Sequence, residues 1–401
     1  MKIRPYSDLN RKRYREETPG IVVRLRDFLA GYDWLQILAL TLLLSLGLIF
    51  IYSTGIQVGT SAALGFFDKQ LQWLLLGVIL WFLFSLVNCK SIGFRVFSVL
   101  FYLVSIILLI VVLKYGLKIN GAKSWLVIPG LGFRLQPAEP AKIGTILLLA
   151  AIFSSPLFRV NNLWCLLLAG VITLLPMLLI SLQPDFGSGM VFLPILAGVV
   201  FAAGIRWRYI IISGILLLLL AGGAIANEYW KFKPLLKPYQ IARIEIFLNP
   251  EKDPHNRGYN QLQARLAVGS GGLYGKGVGK GTQNTLGFLP QTVSNNDFIF
   301  SVIAEETGYL GCLLLISSYL LLFVSVFRTA WISDPLGRYI AIGISCMLFT
   351  HCFVNIGMSI GLSPITGIPL PFVSYGGSFL LAGFCAFGIL QAIYRRNYQK
   401  E

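Results

Sequence analysis

Long apolar segments alternate with short polar ones along nearly the whole chain. About 20 apolar residues span the hydrocarbon core of a bilayer as a helix, and membranes are crossed only by helices or closed barrels. Ten segments approach this length: residues 35–53, 70–87, 96–113, 140–154, 163–182, 188–204, 209–226, 298–327, 338–360 and 377–394. The pattern therefore predicts an all-α polytopic membrane protein of about ten transmembrane helices, with a large extracytoplasmic loop between spans 7 and 8.

The polar segments divide the chain into five parts. These are a basic tail at 1–33, spans 1–7 within 34–226, the large loop at 227–297, spans 8–10 within 298–395, and a short tail at 396–401. An even number of spans places both tails on one side of the membrane. Lys and Arg concentrate in the tails and in the short loops on that side, so the positive-inside rule predicts that both termini are cytoplasmic.

Composition supports this class and argues against two others. The chain is 56% hydrophobic and 12% charged, about half the charged fraction of soluble domains. Its net charge of +16 comes from residues beside the spans, so no nucleic-acid partner is predicted. The six cysteines show no paired spacing and are interpreted as packing residues, and two histidines argue against a histidine-based metal site.

Two segments on the predicted outer side break the positive-inside rule. Residues 114–142 carry five basic residues against one acidic residue, Glu139, and residues 227–297 carry nine against five. Long outer loops are partly exempt from the rule, so these segments could simply be solvated. Alternatively, their cations bind an anionic ligand such as a phosphate or pyrophosphate.

Three acidic residues are candidates for chemistry. Asp297 stands where the large loop becomes the eighth span, as either an acid that caps the helix or a general base at the membrane boundary. Glu305 lies inside the same span, where a buried, hydrogen-bonded structural acid is favoured. Asp185, in Gln-Pro-Asp-Phe-Gly at 183–187, is either a turn acid or a third outer carboxylate.

Three further segments stand out. In 136–142, Glu139 and Lys142 share a helical face, either as a simple ion pair or with Lys142 contacting phosphate while Glu139 orients it. The glycine-rich run 269–283 lacks the Gly-Lys-Ser/Thr ending of a P-loop, so its glycines are interpreted as sites of tight turns. Residues 361–378 contain three prolines and four glycines, which prevent a continuous helix, and we expect them to line an outer cavity.

Taken together, these motifs resemble the SEDS family (shape, elongation, division and sporulation; RodA, FtsW and SpoVE) over nearly the whole chain. The matching segments are Asp33-Trp34, 136–142, 183–187, 239–311 and 355–378. Details of the glycine-rich run and of Asn-Ile-Gly-Met at 355–358 favour the RodA branch. Asn296 stands where the family usually has Thr, and Pro140 replaces the usual apolar residue, which leaves the start of that helix open.

The resemblance implies a peptidoglycan glycosyltransferase in the bacterial cytoplasmic (inner) membrane. Such an enzyme polymerises lipid II, a disaccharide-pentapeptide on undecaprenyl pyrophosphate, into β-1,4 glycan during cell elongation. It implies as partners a class B penicillin-binding protein transpeptidase and other membrane proteins of the elongation complex. A lipid II flippase and a non-catalytic scaffold remain alternatives. No cofactor is certain, and the acidic residues leave a divalent cation (Mg²⁺ or Mn²⁺) open.

The resemblance also assigns roles to residues. Asp297 matches the catalytic aspartate of the family, which would take a proton from the acceptor hydroxyl. The pyrophosphate leaving group needs cations, for which Lys142 and Arg243 are the first choices. The full set of predicted substrate-binding residues is Lys142, Glu139, Asp185, Arg243, Arg134 and Lys276.

Overall fold

The computed structural model describes residues 28–56, 63–89, 91–119, 122–128, 133–158, 160–229, 238–254 and 256–398. The predicted tails lie largely outside these residues, at 1–27 and 399–401, as do 230–237 and 255 of the large loop.

The described chain is mostly helical. Its helices are α1 (Trp34–Thr54), α2 (Ala63–Ser85), α3 (Ile92–Tyr115), α4 (Ala138–Phe153), α5 (Leu163–Ser181), α6 (Phe186–Met190), α7 (Phe192–Ala202), α8 (Trp207–Tyr229), α9 (Pro238–Leu248), α10 (Arg257–Ser270), α11 (Thr282–Thr285), α12 (Gln291–Ser294), α13 (Ile299–Ile332), α14 (Pro335–Ile360) and α15 (Gly377–Tyr398). A single 3₁₀ turn is described at Pro250–Lys252, and the strands are β1 (Leu117–Ile119), β2 (Ala122–Ile128) and β3 (Phe133–Leu135).

A helix covers each of the ten predicted spans, so a polytopic helical membrane protein is confirmed. Seven described helices are long and apolar enough to cross a membrane: α1, α2, α3, α5, α13, α14 and α15. At 16 residues α4 is shorter, and α7 has 11. The number of spans therefore stays a prediction. Helix α2 begins at Ala63, seven residues before the predicted 70. The prediction began too late because Asp68 and Lys69 interrupt the apolar pattern in the first turns of the helix.

Helix α14 lies at the centre of the bundle and packs against α4, α7, α10, α13 and α15. At one end of the bundle Asp33 caps α1 by accepting from the Leu35 amide, and Ser325 Oγ donates to its carboxylate at 2.6 Å. The Arg395 guanidinium lies 4.5 Å from the Phe28 ring at this same end. The first and last described residues thus lie at the same end of the bundle. That this end faces the cytoplasm stays a prediction.

The opposite end carries a small sheet that the apolar pattern did not predict. Strands β1, β2 and β3 form an antiparallel meander in that order. The Lys123 ammonium donates to the Leu113 and Lys114 carbonyls at 2.9 and 2.8 Å, which caps the end of α3. The Lys123 amide donates to the Gln183 carbonyl at 3.2 Å and so ties the sheet to the 183–187 turn. Two of the strands have only three residues, too few for a recognisable alternation.

The glycine-rich loop, residues 271–283, folds back onto α13 where that helix is interrupted. Gly308 has φ 64° and ψ −159°, a conformation that essentially only glycine adopts. The Glu305 and Glu306 carbonyls therefore accept from the Lys276 and Gly277 amides, at 3.0 and 2.9 Å. Beyond the break, the amides of Tyr309 and Leu310 donate to the Gly272 and Leu273 carbonyls. The loop thus supplies the hydrogen bonds that a continuous helix would have made.

This exchange predicts a strong effect of Gly308→Ala. An added Cβ would stand 2.4 Å from the Gly275 nitrogen, at a backbone conformation that alanine avoids. We expect the free energy of unfolding to fall by about 2 kcal/mol or more, measured as a lower thermal midpoint in detergent. The matched control is Gly269→Ala in α10, which meets no atom within 4 Å and should leave the midpoint unchanged or raise it. Equal midpoints for both variants would contradict a structural role for the break.

Candidate active site

Asp297 lies two residues before Ile299, the first residue of α13, and does not cap the helix. The N-cap residue is Phe298, and no side chain makes the capping hydrogen bond. The Asp297 Oδ1 atom is buried and has no hydrogen-bond partner among the described residues. The interpretation of Asp297 as a helix cap is therefore wrong, because both its position and its contacts differ from those of a cap.

The backbone around Asp297 is held by α14 and by the proline-rich loop, residues 361–376. Asn355 Nδ2 donates to the Asp297 carbonyl at 3.0 Å and to the Ile368 carbonyl at 2.8 Å. Ser374 Oγ donates to the Asn296 carbonyl at 2.6 Å. This last contact uses the main chain, so it does not depend on having Asn rather than Thr at 296. Hydrogen bonds to the backbone therefore fix the position from which the Asp297 carboxylate extends.

Burial raises the pKa of Asp297 to about 6. The charge of Asp185 raises the pKa as well, whereas the Arg257 and Arg243 guanidinium groups lower it. A carboxylate that titrates near neutral pH is well matched to general-base catalysis. Arg257 was not among the predicted site residues. Its only signal in the sequence was its membership of the basic large loop.

Asp185 joins three parts of the chain beside this carboxylate. Its side chain caps α6 by accepting from the Ser188 amide and hydroxyl, at 3.2 and 2.9 Å. Gln136 Nε2, at the end of β3, donates to Asp185 Oδ2 at 2.9 Å. The backbone N–H of Gln136 donates to Ser378 Oγ at the start of α15. Asp185 is therefore a capping acid in the predicted turn and also an electrostatic neighbour of Asp297.

Lys142 and Glu139 form a buried ion pair inside the bundle, with Nζ 2.9 Å from Oε1 and the Lys142 side chain fully buried. His351 was not predicted, and its Nε2 lies 3.0 Å from Lys142 Nζ. The His351 Nδ1 lies 3.2 Å from the Pro369 carbonyl, which can only accept, so Nδ1 carries the proton and Nε2 accepts from the ammonium. The ring also stacks on Phe379.

This cluster borders a cavity of about 20 Å³ lined in part by Glu139, His351 and Phe379, which has room for one water molecule. The Lys142 ammonium is therefore enclosed, and its predicted contact with phosphate stays a prediction.

Helix α4 begins at Ala138, so Pro140 lies in its first turn, where proline is tolerated.

The remaining predicted residues occupy different surroundings. Arg134 is exposed on β3, and its charge lowers the pKa of Tyr375, which burial raises. Arg243 lies on α9, and its charge lowers the pKa of Asp297. Lys276 Nζ is 2.6 Å from Glu305 Oε1, and the buried Glu305 also accepts from the Thr282 hydroxyl. Substrate binding by Lys276 and a structural role for Glu305 both stay predictions.

Within the described ranges, no group of three or more His, Cys, Asp or Glu side chains is arranged to hold a metal ion.

Comparisons with known proteins give a consistent result. The family model FtsW/RodA/SpoVE, described as "Cell cycle protein", matches residues 33–399. The peptidoglycan glycosyltransferase RodA of Treponema pallidum is 34% identical, covering 92% of this chain and 98% of that protein. The peptidoglycan glycosyltransferase MrdB of Escherichia coli K12 is 36% identical, covering 88% and 92%.

Two solved structures resemble most of the chain. One, described as "structural coordination of polymerization and crosslinking by a peptidoglycan synthase complex", has a TM-score of 0.76 at 30% identity, covering 92% of this chain and 99% of that chain. The other is the rod shape determining protein RodA of Thermus thermophilus, with a TM-score of 0.66 at 28% identity, covering 92% and 98%.

The buried ion pair predicts coupled stabilities. Either Glu139→Gln or Lys142→Met removes one partner of a buried pair, and we expect each to lower the free energy of unfolding by about 3 kcal/mol. The double variant leaves no buried charge without a counter-charge, so it should lose at least about 1 kcal/mol less than the sum of the single losses. Chemical unfolding of the four proteins in detergent tests this expectation. Additive losses would show that the two side chains are not coupled.

Proposed function

Because the chain belongs to the FtsW/RodA/SpoVE family of cell cycle proteins, we propose that its activity is carried by Asp297 acting as a general base. The protein is a peptidoglycan glycosyltransferase, like its relatives at 34–36% identity over most of their length. Its substrate in this proposal is lipid II. The products are a β-1,4 glycan strand and undecaprenyl pyrophosphate.

One observation carries the assignment of the base. Asp297 Oδ1 is buried, caps no helix and has no hydrogen-bond partner in the described part of the chain. A polar atom in this situation needs a partner, and a substrate hydroxyl would supply one. The pKa of about 6 leaves the carboxylate ionised at neutral pH and basic enough to take a proton.

The proposed reaction is a single displacement. The acceptor sugar hydroxyl attacks the anomeric carbon of the donor, and its proton passes to the Asp297 carboxylate. The bond from the anomeric carbon to the pyrophosphate oxygen breaks, and its electron pair leaves with the pyrophosphate. Attack opposite the leaving group inverts the anomeric centre, which gives the β linkage.

Arg243 and Arg257 are the proposed cations for the leaving group. Both act electrostatically on Asp297, so a pyrophosphate bound beside that carboxylate lies within their range. Fixed cations stabilise the charge that develops on the departing phosphate. Arg134 and Lys142 remain candidates for the same ligand. In this proposal Asp185 orients the site through Gln136, to which it is hydrogen-bonded.

The surroundings are proposed from the same family membership. The protein is placed in the bacterial inner membrane with both termini cytoplasmic and the site on the outer face. A class B penicillin-binding protein is the proposed partner. This is supported by the similar structure described as a complex that coordinates polymerization with crosslinking. Other elongation-complex membrane proteins are proposed as further partners.

The first test replaces the base. Purified protein with its transpeptidase partner should convert labelled lipid II into glycan strands, and Asp297→Asn should reduce the rate by about 10²–10⁴-fold. The matched control, Glu251→Gln, removes an exposed carboxylate from the same loop and should keep full activity. Normal polymerisation by Asp297→Asn would reject the base.

Two further outcomes address the alternatives. Wild-type protein that moves lipid II across liposomes without making polymer would favour a flippase. A protein that does neither but still retains its transpeptidase partner would favour a scaffold.

The second test uses pH. The base is active when ionised, so kcat/KM for polymerisation should fall about tenfold per pH unit below about pH 6. Arg257 lowers the pKa of Asp297, so Arg257→Gln should move this acid limb to higher pH, and Asp185→Asn should move it to lower pH. The exposed Lys252 is a charge-matched control, and Lys252→Gln should leave the limb in place. If no variant moves the acid limb, Asp297 is not the group whose titration causes the pH dependence.

A further inference from the structure

A groove lies between the end of α3 and the sheet, apart from the contacts described for Asp297. Its volume is about 470 Å³, within the range of small-molecule sites. The lining is apolar except for one phenol group: Leu108, Val111, Tyr115, Leu117, Leu126, Val127 and Leu135. Leu117 and Val127 are each 46% exposed, so the described chain leaves this apolar surface uncovered.

One end of the groove is continuous with the lipid-facing surface of α3. Leu108 stands four residues after Val104 and therefore on the same helical face. Val104 is 52% exposed on a helix long and apolar enough to cross the membrane. An apolar chain in the bilayer can thus enter the groove without passing through water.

The other end is cationic. The Lys114 ammonium lies 5.3 Å from the centroid of the Tyr115 ring, which lines the groove. Lys123 Nζ is fixed at the Lys114 carbonyl. Residues 114–138 contain no acidic residue. A ligand with an apolar chain and an anionic head matches this arrangement.

The groove wall also adjoins a residue of the candidate active site. Leu135 in its wall is followed directly by Gln136, whose side chain donates to Asp185. The groove wall is therefore one residue along the chain from the contact between Gln136 and Asp185. This adjacency to the candidate site favours a substrate lipid, rather than a bulk phospholipid, as the ligand of the groove.

We propose that this groove binds the polyprenyl chain of the lipid-linked substrate next to its pyrophosphate, with Lys114 at the phosphate. The proposal rests on the proposed function, because it takes lipid II as the substrate. Lipid tails are as apolar as the groove, so its walls orient the chain more than they add affinity. Orientation of the donor or acceptor head then contributes to the rate.

Photocrosslinking tests the site without requiring turnover. A photoreactive phenylalanine derivative replaces Val127 in an Asp297→Asn background, where lipid II is not consumed. The control places it at Ile107, which is exposed on α3 but does not line the groove. We expect labelled lipid II to be captured at 127 at least about fivefold more than at 107. Undecaprenyl pyrophosphate should compete, and an excess of phosphatidylglycerol should not.

Kinetic variants give an independent readout. Val127→Trp should fill the groove and lower kcat/KM for lipid II about tenfold, while Ile107→Trp should not. Lys114→Gln should weaken competition by undecaprenyl pyrophosphate about fivefold. Lys118→Gln, the same charge change at an exposed position outside the groove lining, should not weaken it. Equal thermal midpoints for these variants exclude misfolding as the cause.

The outcomes separate the two proposals. Equal capture at 127 and 107, or competition by phosphatidylglycerol, would overturn the groove. Wild-type polymerisation without capture at 127 would overturn the groove alone. Capture at 127 by a wild-type protein that makes no polymer would overturn the proposed function and leave the groove as a lipid site.

Discussion

Charge buried in a low-dielectric interior needs a partner, and the arrangement of the bundle follows from this constraint. Four buried carboxylates each accept a hydrogen bond from another side chain: Asp33 from Ser325, Glu139 from Lys142, Glu305 from Lys276 and Glu306 from Ser53. The contacts of Asp33, Glu305 and Glu306 join segments that are far apart in the chain, and Lys142 and Lys276 also supply a counter-charge. Asp297 differs, because its buried Oδ1 has no such partner within the described residues. Two guanidinium groups lower its pKa, but burial has the larger effect and raises it to about 6.

The position of Asp297 depends on contacts that its side chain does not make. Asn355 on the central helix α14 holds both the Asp297 peptide and the proline-rich loop. Four residues earlier, and on the same face of α14, His351 holds Lys142 and the Pro369 carbonyl. One helical face therefore fixes two candidate site elements relative to each other. Such indirect support keeps a catalytic group in place while leaving its reactive atoms free.

The sequence was sufficient for the parts of this protein that follow a simple period. Apolar runs located a helix at each predicted span, and Asp33 before Trp34 indicated the start of α1. Contacts between distant residues could not be read in this way. His351 and Arg257 acquire their importance only from what the fold brings beside them, namely Lys142 and Asp297. The exchange of hydrogen bonds at Gly308 was also hidden, because the apolar pattern continues through the break. For Asp297 the spacing favoured a cap, and only the contacts of Phe298 and Oδ1 exclude it.

The substrate that we propose, with an apolar chain and a charged head, would explain why the site lies at the end of the bundle. In this proposal the apolar chain needs a surface open to lipid, for which the groove between α3 and the sheet is suited. The head requires cations and a base, which the large loop and the start of α13 provide. Between these regions, Gln136 Nε2 donates to Asp185 at 2.9 Å, and the charge of Asp185 raises the pKa of Asp297. A base deeper in the bundle would be paired like Glu139, and one in open solvent would have an ordinary pKa. The boundary is where Asp297 can be both reachable by a sugar hydroxyl and basic enough to accept its proton.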